Sequence, residues 1–385
     1  MSSIVKSDSR KDVETEIRDI LGDIEKCLRC RYCISVCPLY EGWPMQAVGG
    51  KLQSAYYLLR WGLEPDEHFR RMLYYCTTCA RCSAICPPRI EPQRLVERLR
   101  AVLSKKYGMS PLDTQMELAD SIRKSANPYG EASKDRFAWL EREPPRKAEY
   151  AYFVGCTPAY REQGIAKNTF GLLSKLGIDF SLDMDEACCG AFMISMGLAD
   201  EAAEIAKKNV GSFRKMGADK VVVSCAGCYK TFKLDYPSIL DGFDIEVCHV
   251  SEVLDKFINK EGIRLKDTYR GIRVTYHDPC HLGRHAGLFD APRGVIEAIP
   301  GVEFIEMPAH GSSAICCGGG RGLTAGFPRK ALEIAKERVR EAQEAGAKIL
   351  LSSCPFCKLN LSQANRVTRA GLEVLDLTEF VSRAL

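Results

Sequence analysis

Eighteen of the nineteen cysteines in this 385-residue chain fall into two spacing patterns, and each pattern is written twice. That many thiols in a chain without an export signal argues for metal ligands rather than a disulfide framework. The N-terminal stretch MSSIVKSDSRKD is polar where a signal peptide needs an apolar core. No apolar run reaches the roughly 18 to 20 residues that cross a bilayer. The expected location is therefore the cytoplasm, with any membrane association made through a partner and no transmembrane segment of the chain's own. With 54 basic and 50 acidic residues the net charge is only +4, which gives no electrostatic reason to expect nucleic acid. The length suits two or three domains of roughly 100 to 150 residues.

The first pattern is Cys27-x2-Cys30-x2-Cys33-x3-Cys37-Pro38, repeated as Cys76-x2-Cys79-x2-Cys82-x3-Cys86-Pro87. Three thiols two residues apart can wrap one cubane, and the fourth, set off by three residues and turned by proline, points to the neighbouring cluster. This predicts Cys27, Cys30, Cys33 and Cys86 around one [4Fe-4S] cubane, and Cys76, Cys79, Cys82 and Cys37 around a second. Two zinc sites of four cysteines each are the bland alternative; the closing x3-Cys-Pro in both runs argues against them. The residues between the runs include helical sequence at 55–61 and 68–75, so the unit resembles the helical ferredoxin module of fumarate and succinate oxidoreductases. An amphipathic helix is expected over residues 1–26, with Ile17, Ile20, Leu21 and Ile24 on its apolar side, and another carries Leu95, Val96, Leu99, Val102 and Leu103. Residues 1–106 thus read as a helical domain. Residues 107–148, charged and carrying Pro111, Pro128, Pro144 and Pro145, read as a connector.

The rest is an internal repeat, expected as domains at 149–270 and 271–385. Cys156, Cys188, Cys189, Cys225 and Cys228 overlay Cys280, Cys316, Cys317, Cys354 and Cys357 at offsets of 124 to 129. Apolar runs at 150–156, 220–225, 272–280 and 347–354 end at or run into cysteine, with helical sequence between them. Such alternation predicts a parallel sheet with covering helices and functional groups at the carboxyl ends of strands. Neighbouring side chains on a regular strand face opposite ways, so each Cys-Cys-Gly requires a glycine-freed turn to aim both thiols at one site. One polynuclear iron site per copy is expected. Inert, buried packing cysteines are the alternative, and recurrence of all ten in register argues against it.

The spacing Cys-x31-Cys-Cys-Gly-x34-Cys-x2-Cys, then Cys-x35-Cys-Cys-Gly-x35-Cys-x2-Cys, resembles the duplicated CCG domain found in the B subunit of heterodisulfide reductase. The preceding two-cluster module is like that enzyme's C subunit, and residues 20–380 together resemble the fused form, the D-subunit family. The string from Tyr276 to His285 and Cys354-Pro355-Phe356-Cys357 strengthen the likeness. The resemblance implies a helical dicluster module followed by two pseudo-symmetric α/β CCG domains. It also implies a noncubane [4Fe-4S] centre in each five-cysteine set, the two facing each other across the place where a disulfide is split. The expected activity is reduction of the coenzyme M–coenzyme B heterodisulfide or an analogue, within a complex fed by redox partners such as a membrane cytochrome b. Similar layouts serve flavin-dependent glycolate, lactate and glycerol-3-phosphate dehydrogenases and benzoyl-CoA reductase. A non-catalytic electron relay beside a flavoprotein or an acyl-CoA reductase is therefore the alternative.

Among smaller features, Cys248 lies in an apolar segment and reads as core. The glycines from Gly318 to Gly322 follow a cysteine pair rather than open a helix after a strand, and read as cluster wrapping. No dinucleotide fingerprint appears, so no flavin or NAD is expected in this chain. His277, His281 and His285 crowd Cys280, and His281 is the candidate for proton delivery. Lys230, Arg284, Arg321 and Lys358 follow cysteines closely and can hold an anionic substrate or offset cluster charge.

Overall fold

The computed structural model describes residues 13–142 and 144–385. The N-terminal helix runs Val13–Glu25 and buries Ile17, Ile20 and Ile24; the part of that expectation at 1–12 lies outside the described residues. Helices Val48–Arg60, Glu67–Tyr74 and Pro92–Tyr107 complete a helical unit around Leu52, Leu73, Val96 and Leu99. Their ends follow ordinary stop signals. Asp66 caps the second by accepting the Phe69 N–H at 2.7 Å, and Gly108 closes the third at φ +65°.

Strands β1 (Tyr150–Phe153), β2 (Phe180–Ser181), β3 (Lys220–Val223) and β4 (Glu246–His249) form one parallel sheet in the order β2-β1-β3-β4. Strands β5 (Arg273–His277), β6 (Glu303–Phe304), β7 (Ile349–Ser352) and β8 (Glu373–Asp376) repeat that order as β6-β5-β7-β8, again all parallel. Lys220-Val221-Val222-Val223 and Ile349-Leu350-Leu351-Ser352 are near-continuous apolar runs because both faces of a parallel sheet are covered. Helices Gln163–Lys175 and Ala199–Lys215 cover the first sheet, and Asp290–Glu297 and Pro328–Glu344 the second. The fold class is thus the expected one, α followed by two α/β units. Pairing of Phe153 with Val223 and of His277 with Ser352 brings adjacent strand ends level. The cysteines that follow therefore emerge along one edge of each sheet, as the crossover rule requires.

Residues 107–148 do more than connect. They contain a helix, Asp113–Ser125, and a segment that buries Phe137 and Trp139 against the first sheet's outer helix and Arg136 at 1% exposure. The abundance of charge and proline in this stretch hides the apolar pair that pins it. Among the described residues no helix is long and apolar enough to cross a membrane.

Candidate metal centres

Both ferredoxin-type runs adopt one backbone shape. Arg29 and Arg31 in the first, and Thr78 and Ala80 in the second, take positive φ between 49° and 65°, which for residues other than glycine costs about 1–3 kcal/mol each. That strain turns backbone N–H groups inward, the arrangement that makes an anion-binding concavity around a cluster. The N–H of Arg29 lies 3.4 Å from the Cys27 sulfur, and that of Thr78 lies 3.4 Å from Cys76. The thiols are grouped by proximity rather than by sequence. Burial raises Cys33, and so do Cys27, Cys30 and the distant Cys86. Burial pushes Cys37 up to about 12, against Lys51 and with Cys76 and Cys79 adding to it. Cys86 thus lies near Cys33, and Cys37 near Cys76 and Cys79, as the crossed wiring requires. Cys86→Ala is expected to strip the Cys27 cluster and leave the Cys76 cluster, as read by electron paramagnetic resonance; loss of only the Cys76 cluster would show that the wiring is wrong.

Lys51 is a functional neighbour that sequence reasoning missed. It is 1% exposed, donates to the Met45 and Gln46 carbonyl oxygens at 2.8 and 2.5 Å, and is brought down to about 8 by burial although Cys76 and Cys37 pull the other way. Nothing in the pattern of an amphipathic helix marks one lysine as inward-facing.

The ten repeat cysteines form two buried clusters of free thiols. In the first copy Cys156 shares a hydrogen bond with Cys188, and the Cys189 and Cys228 sulfurs are 3.4 Å apart. In the second, Cys316 shares hydrogen bonds with Cys280 and Cys317, and the Cys317 and Cys357 sulfurs are 3.3 Å apart. Each cysteine pair is carried by a loop rather than by a strand end, β2 being two residues long. The glycine after each pair supplies the turn: Gly190 and Gly318 lie at φ +79° and +77°, and their N–H groups are 3.4 Å from the sulfurs of Cys188 and Cys316. A Cβ at Gly318 would stand 2.3 Å from the Ala331 carbonyl oxygen. Gly319 likewise aims its N–H at Cys317 at 3.4 Å, so this stretch does wrap the thiols.

The four groups stand in a row. Cys82 lies near Cys33, Cys79 near Cys316, and Cys225 near Cys354. The order is thus the Cys27 group, the Cys76 group, the second-copy group and then the first-copy group. Docking of the helical unit on the second CCG unit fixes the middle contact: Arg284 Nε donates to the Cys79 carbonyl at 2.7 Å, and His285 Nε2 is 2.8 Å from the Thr78 carbonyl. Free thiols grouped in this way are a donor set for iron–sulfur clusters, and in the two repeat groups, where nine of the ten are buried, a costly one without cations. The fit is good at all four groups.

Polar partners are unequally shared. At the first-copy group Arg136 Nη2 approaches the Cys156 sulfur at 3.5 Å, while Nη1 binds Glu186 at 2.5 Å. Glu186 in turn accepts the Val154 and Gly155 N–H groups at 2.7 and 2.9 Å, and burial raises its carboxyl to about 7 despite those partners. Of the four cations noted in the sequence, Lys358 is held by Glu162 and Glu379, each at 2.8 Å, and Arg284 is spent on carbonyls, so neither is free for a ligand. Lys230 Nζ is likewise paired with Asp235 at 2.6 Å, and Arg321 Nη1 donates to the Ser195 hydroxyl at 2.9 Å and to the Ala191 carbonyl; both cations lie near Glu97, His281 and His285. Burial alone would lift Glu97, yet Lys230, Arg321 and His285 bring it to about 2. Burial, then Arg321, His285 and Lys230, hold His281 well below the usual imidazole range. His281 Nε2 and Arg321 Nη2 are buried without a hydrogen-bond partner among the described residues. Cys248 lies on β4, packs with the core and stays apart from all four groups, as expected.

The 4Fe-4S dicluster domain family matches residues 23–90, and the cysteine-rich CCG family matches twice, at 150–233 and 274–362. Over 397 aligned residues the chain is 38% identical to the D subunit of the dihydromethanophenazine:CoB–CoM heterodisulfide reductase of Methanosarcina acetivorans, with 95% of each chain covered. The chain belongs to the family of heterodisulfide reductase D subunits. It is an iron–sulfur redox protein. It is also 29% identical to the B subunit of the CoM/CoB fumarate reductase of Methanothermobacter marburgensis, over 93% of this chain and 72% of that one. Among solved structures, a hypothetical protein from Helicobacter pylori shares the fold at a TM-score of 0.61 and 12% identity, over 97% of this chain and 76% of that one.

Proposed function

We propose that this chain reduces a disulfide of the coenzyme M–coenzyme B type or a close analogue, as the iron–sulfur subunit of a complex. Electrons come from a partner such as a membrane cytochrome b on the cytoplasmic face, pass through two cubanes, and reach paired noncubane centres held by the two five-cysteine groups. The reading is carried by one observation: the two five-cysteine groups approach each other at Cys225 and Cys354, near His281 and Arg321. When loaded, the clusters supply one-electron transfers, and a pair of them matches the two electrons and two protons that turn one disulfide into two thiols.

The chain's own residues supply the rest. Arg321, whose Nη2 is buried without a partner among the described residues, binds an anionic arm of the disulfide, a task for a charge buried away from competing water, while Lys230 is held by Asp235 at 2.6 Å. A cleft of about 340 Å³ opens between helix Pro92–Tyr107 and the 230–239 segment, lined by Arg94, Glu97, Arg98, Lys230 and Asp235. That cleft is the entrance. His281, neutral and with Nε2 unengaged, is placed to give the departing thiolate a hydrogen bond, and the protons that complete the two thiols come from solvent. The chain purified anaerobically should hold about 16 iron atoms, four in each of four clusters, and should oxidise reduced viologen when given the heterodisulfide. A zinc-dominated metal content would overturn the cluster reading. Full iron with no activity on any small disulfide would favour the electron-relay reading instead.

A further inference from the structure

The two five-cysteine groups are built as a repeat, but besides Arg136 at the first group their surroundings differ at the end of the first strand. The residue that ends the first strand of each copy is Phe153 in the first and His277 in the second, at the same offset of 124 that relates Cys156 to Cys280. Phe153 stacks edge-on against Phe232, with ring centroids 4.8 Å apart. His277 is 1% exposed, and one of its ring nitrogens lies within 4.8 Å of both the Cys317 and Cys357 sulfurs.

Arg338 decides what that imidazole can do. It is fully buried, and its Nε donates to His277 Nδ1 at 3.1 Å while Nη1 is held by the Ala309 carbonyl at 2.8 Å and Glu341 at 2.5 Å. A guanidinium carries donors only. Nδ1 must therefore be the accepting nitrogen, and the ring proton must sit on Nε2. Nε2 is buried with no hydrogen-bond partner among the described residues, and the Cys317 and Cys357 sulfurs are the neighbouring acceptors toward which it can turn. A nitrogen that carries a proton cannot ligate a metal, so the arginine also bars His277 from becoming a sixth ligand. At the position matching Arg338 the first copy has Asn209, which instead binds the Cys188 carbonyl at 3.1 Å and the Tyr236 hydroxyl at 2.8 Å. The first group has no equivalent donor from this position.

We propose that His277, locked in its Nε2–H tautomer by Arg338, donates a hydrogen bond to the Cys317 sulfur and sets the second-copy centre at a higher reduction potential than the first-copy centre. The proposal rests on the reading that each five-cysteine group holds an iron–sulfur centre. Hydrogen bonds to cluster sulfurs stabilise the more negative, reduced state, so the effect has a definite sign. It also has a place in the row: the second-copy group is the one that touches the Cys76 group through Cys316. The centre that first receives electrons is thereby the one better able to hold them until the second arrives.

The test is a redox titration of the full holo-protein followed by electron paramagnetic resonance, with iron content measured on every sample. Wild type should show two distinct midpoints for the special centres. His277→Phe, which installs the first copy's residue, should keep its iron and lower only the higher midpoint. The expected shift is at least tenfold in the reduction equilibrium, ~59 mV for one electron. Arg338→Gln, which can still donate to Nδ1, should keep the wild-type midpoints, and Arg338→Met should move them as His277→Phe does. Unchanged midpoints in His277→Phe overturn the proposal, and so does loss of iron confined to the second centre, which would make His277 a ligand. If His277→Phe yields no holo-protein, wild type labelled with 15N-histidine decides: a weak coupling relayed through sulfur supports the proposal, and the strong coupling of a metal-bound nitrogen overturns it. A wild type with iron in the cubanes alone is a separate result, the failure of the reading on which the proposal rests.

Discussion

Cys317→Ser is expected to reduce heterodisulfide-dependent oxidation of viologen to background while both ferredoxin cubanes remain reducible. Cys317 sits at the centre of its group, sharing a hydrogen bond with Cys316 and lying 3.3 Å from the Cys357 sulfur. A serine oxygen is shorter and harder than a thiolate and is a poor substitute on iron. The damage is confined by geometry, since the cubane thiols belong to a different unit and Cys79, which touches this group, touches it through Cys316. On the function proposed above each special centre supplies one of the two electrons, so the variant should stall after the first, with a thiyl radical beside one thiolate. His281→Ala should cost less, roughly 10- to 100-fold, as for a residue that acts beside the ligands and not among them. Anaerobic activity of wild type and both variants, alongside resonance spectra of the cubanes, reads all of this at once. Full activity in Cys317→Ser would remove the paired centres from the chemistry.

The cysteine groups were legible in the sequence because their signal is local. The x3-Cys-Pro spacing predicts a thiol that leaves its own run, and in the structure Cys86 lies near Cys33 and Cys37 near Cys76. The duplicated strand order was legible for a related reason, since apolar runs ending in cysteine recur at a constant offset. What was not legible is the order of the four groups, which hangs on Cys79 meeting Cys316 and Cys225 meeting Cys354. Those contacts join residues more than a hundred positions apart and depend on how units dock, a matter on which spacing is silent. The crowd of histidines around Cys280 was visible, but its division of labour was not: His285 holds a backbone carbonyl, His277 faces two sulfurs, and His281 lies near Arg321. The overlay of Phe153 on His277 is the signal that would have separated them. In the 107–148 stretch the adjacent aromatics Phe137 and Trp139 were the available sign that a charged, proline-rich segment is pinned down.

That segment yields the second large effect: Arg136→Met is expected to destabilise the protein by about 3–5 kcal/mol, the usual cost of breaking a buried ion pair from one side. Arg136 and Glu186 have side chains only 2% exposed, so neither charge can recover its hydration when the other is removed. The Glu186 carboxylate also ties down the end of β1 through the Val154 and Gly155 N–H groups, immediately before Cys156. Loss of Arg136 therefore loosens the loop that presents the first thiol of the first-copy group, and it removes the guanidinium 3.5 Å from that sulfur. The Trp139 indole N–H donates to the Arg136 carbonyl at 3.0 Å, so the strap itself should stay anchored by its aromatic residues. Replacing both partners with apolar groups leaves no lone charge, and Arg136→Met with Glu186→Leu should recover part of the loss. It should not recover all of it, because Val154 and Gly155 then have N–H groups without an acceptor. Anaerobic denaturant unfolding of the single and double variants measures the difference. A single variant as stable as wild type would mean that the pair is dispensable, and that the strap is held by Phe137 and Trp139 alone.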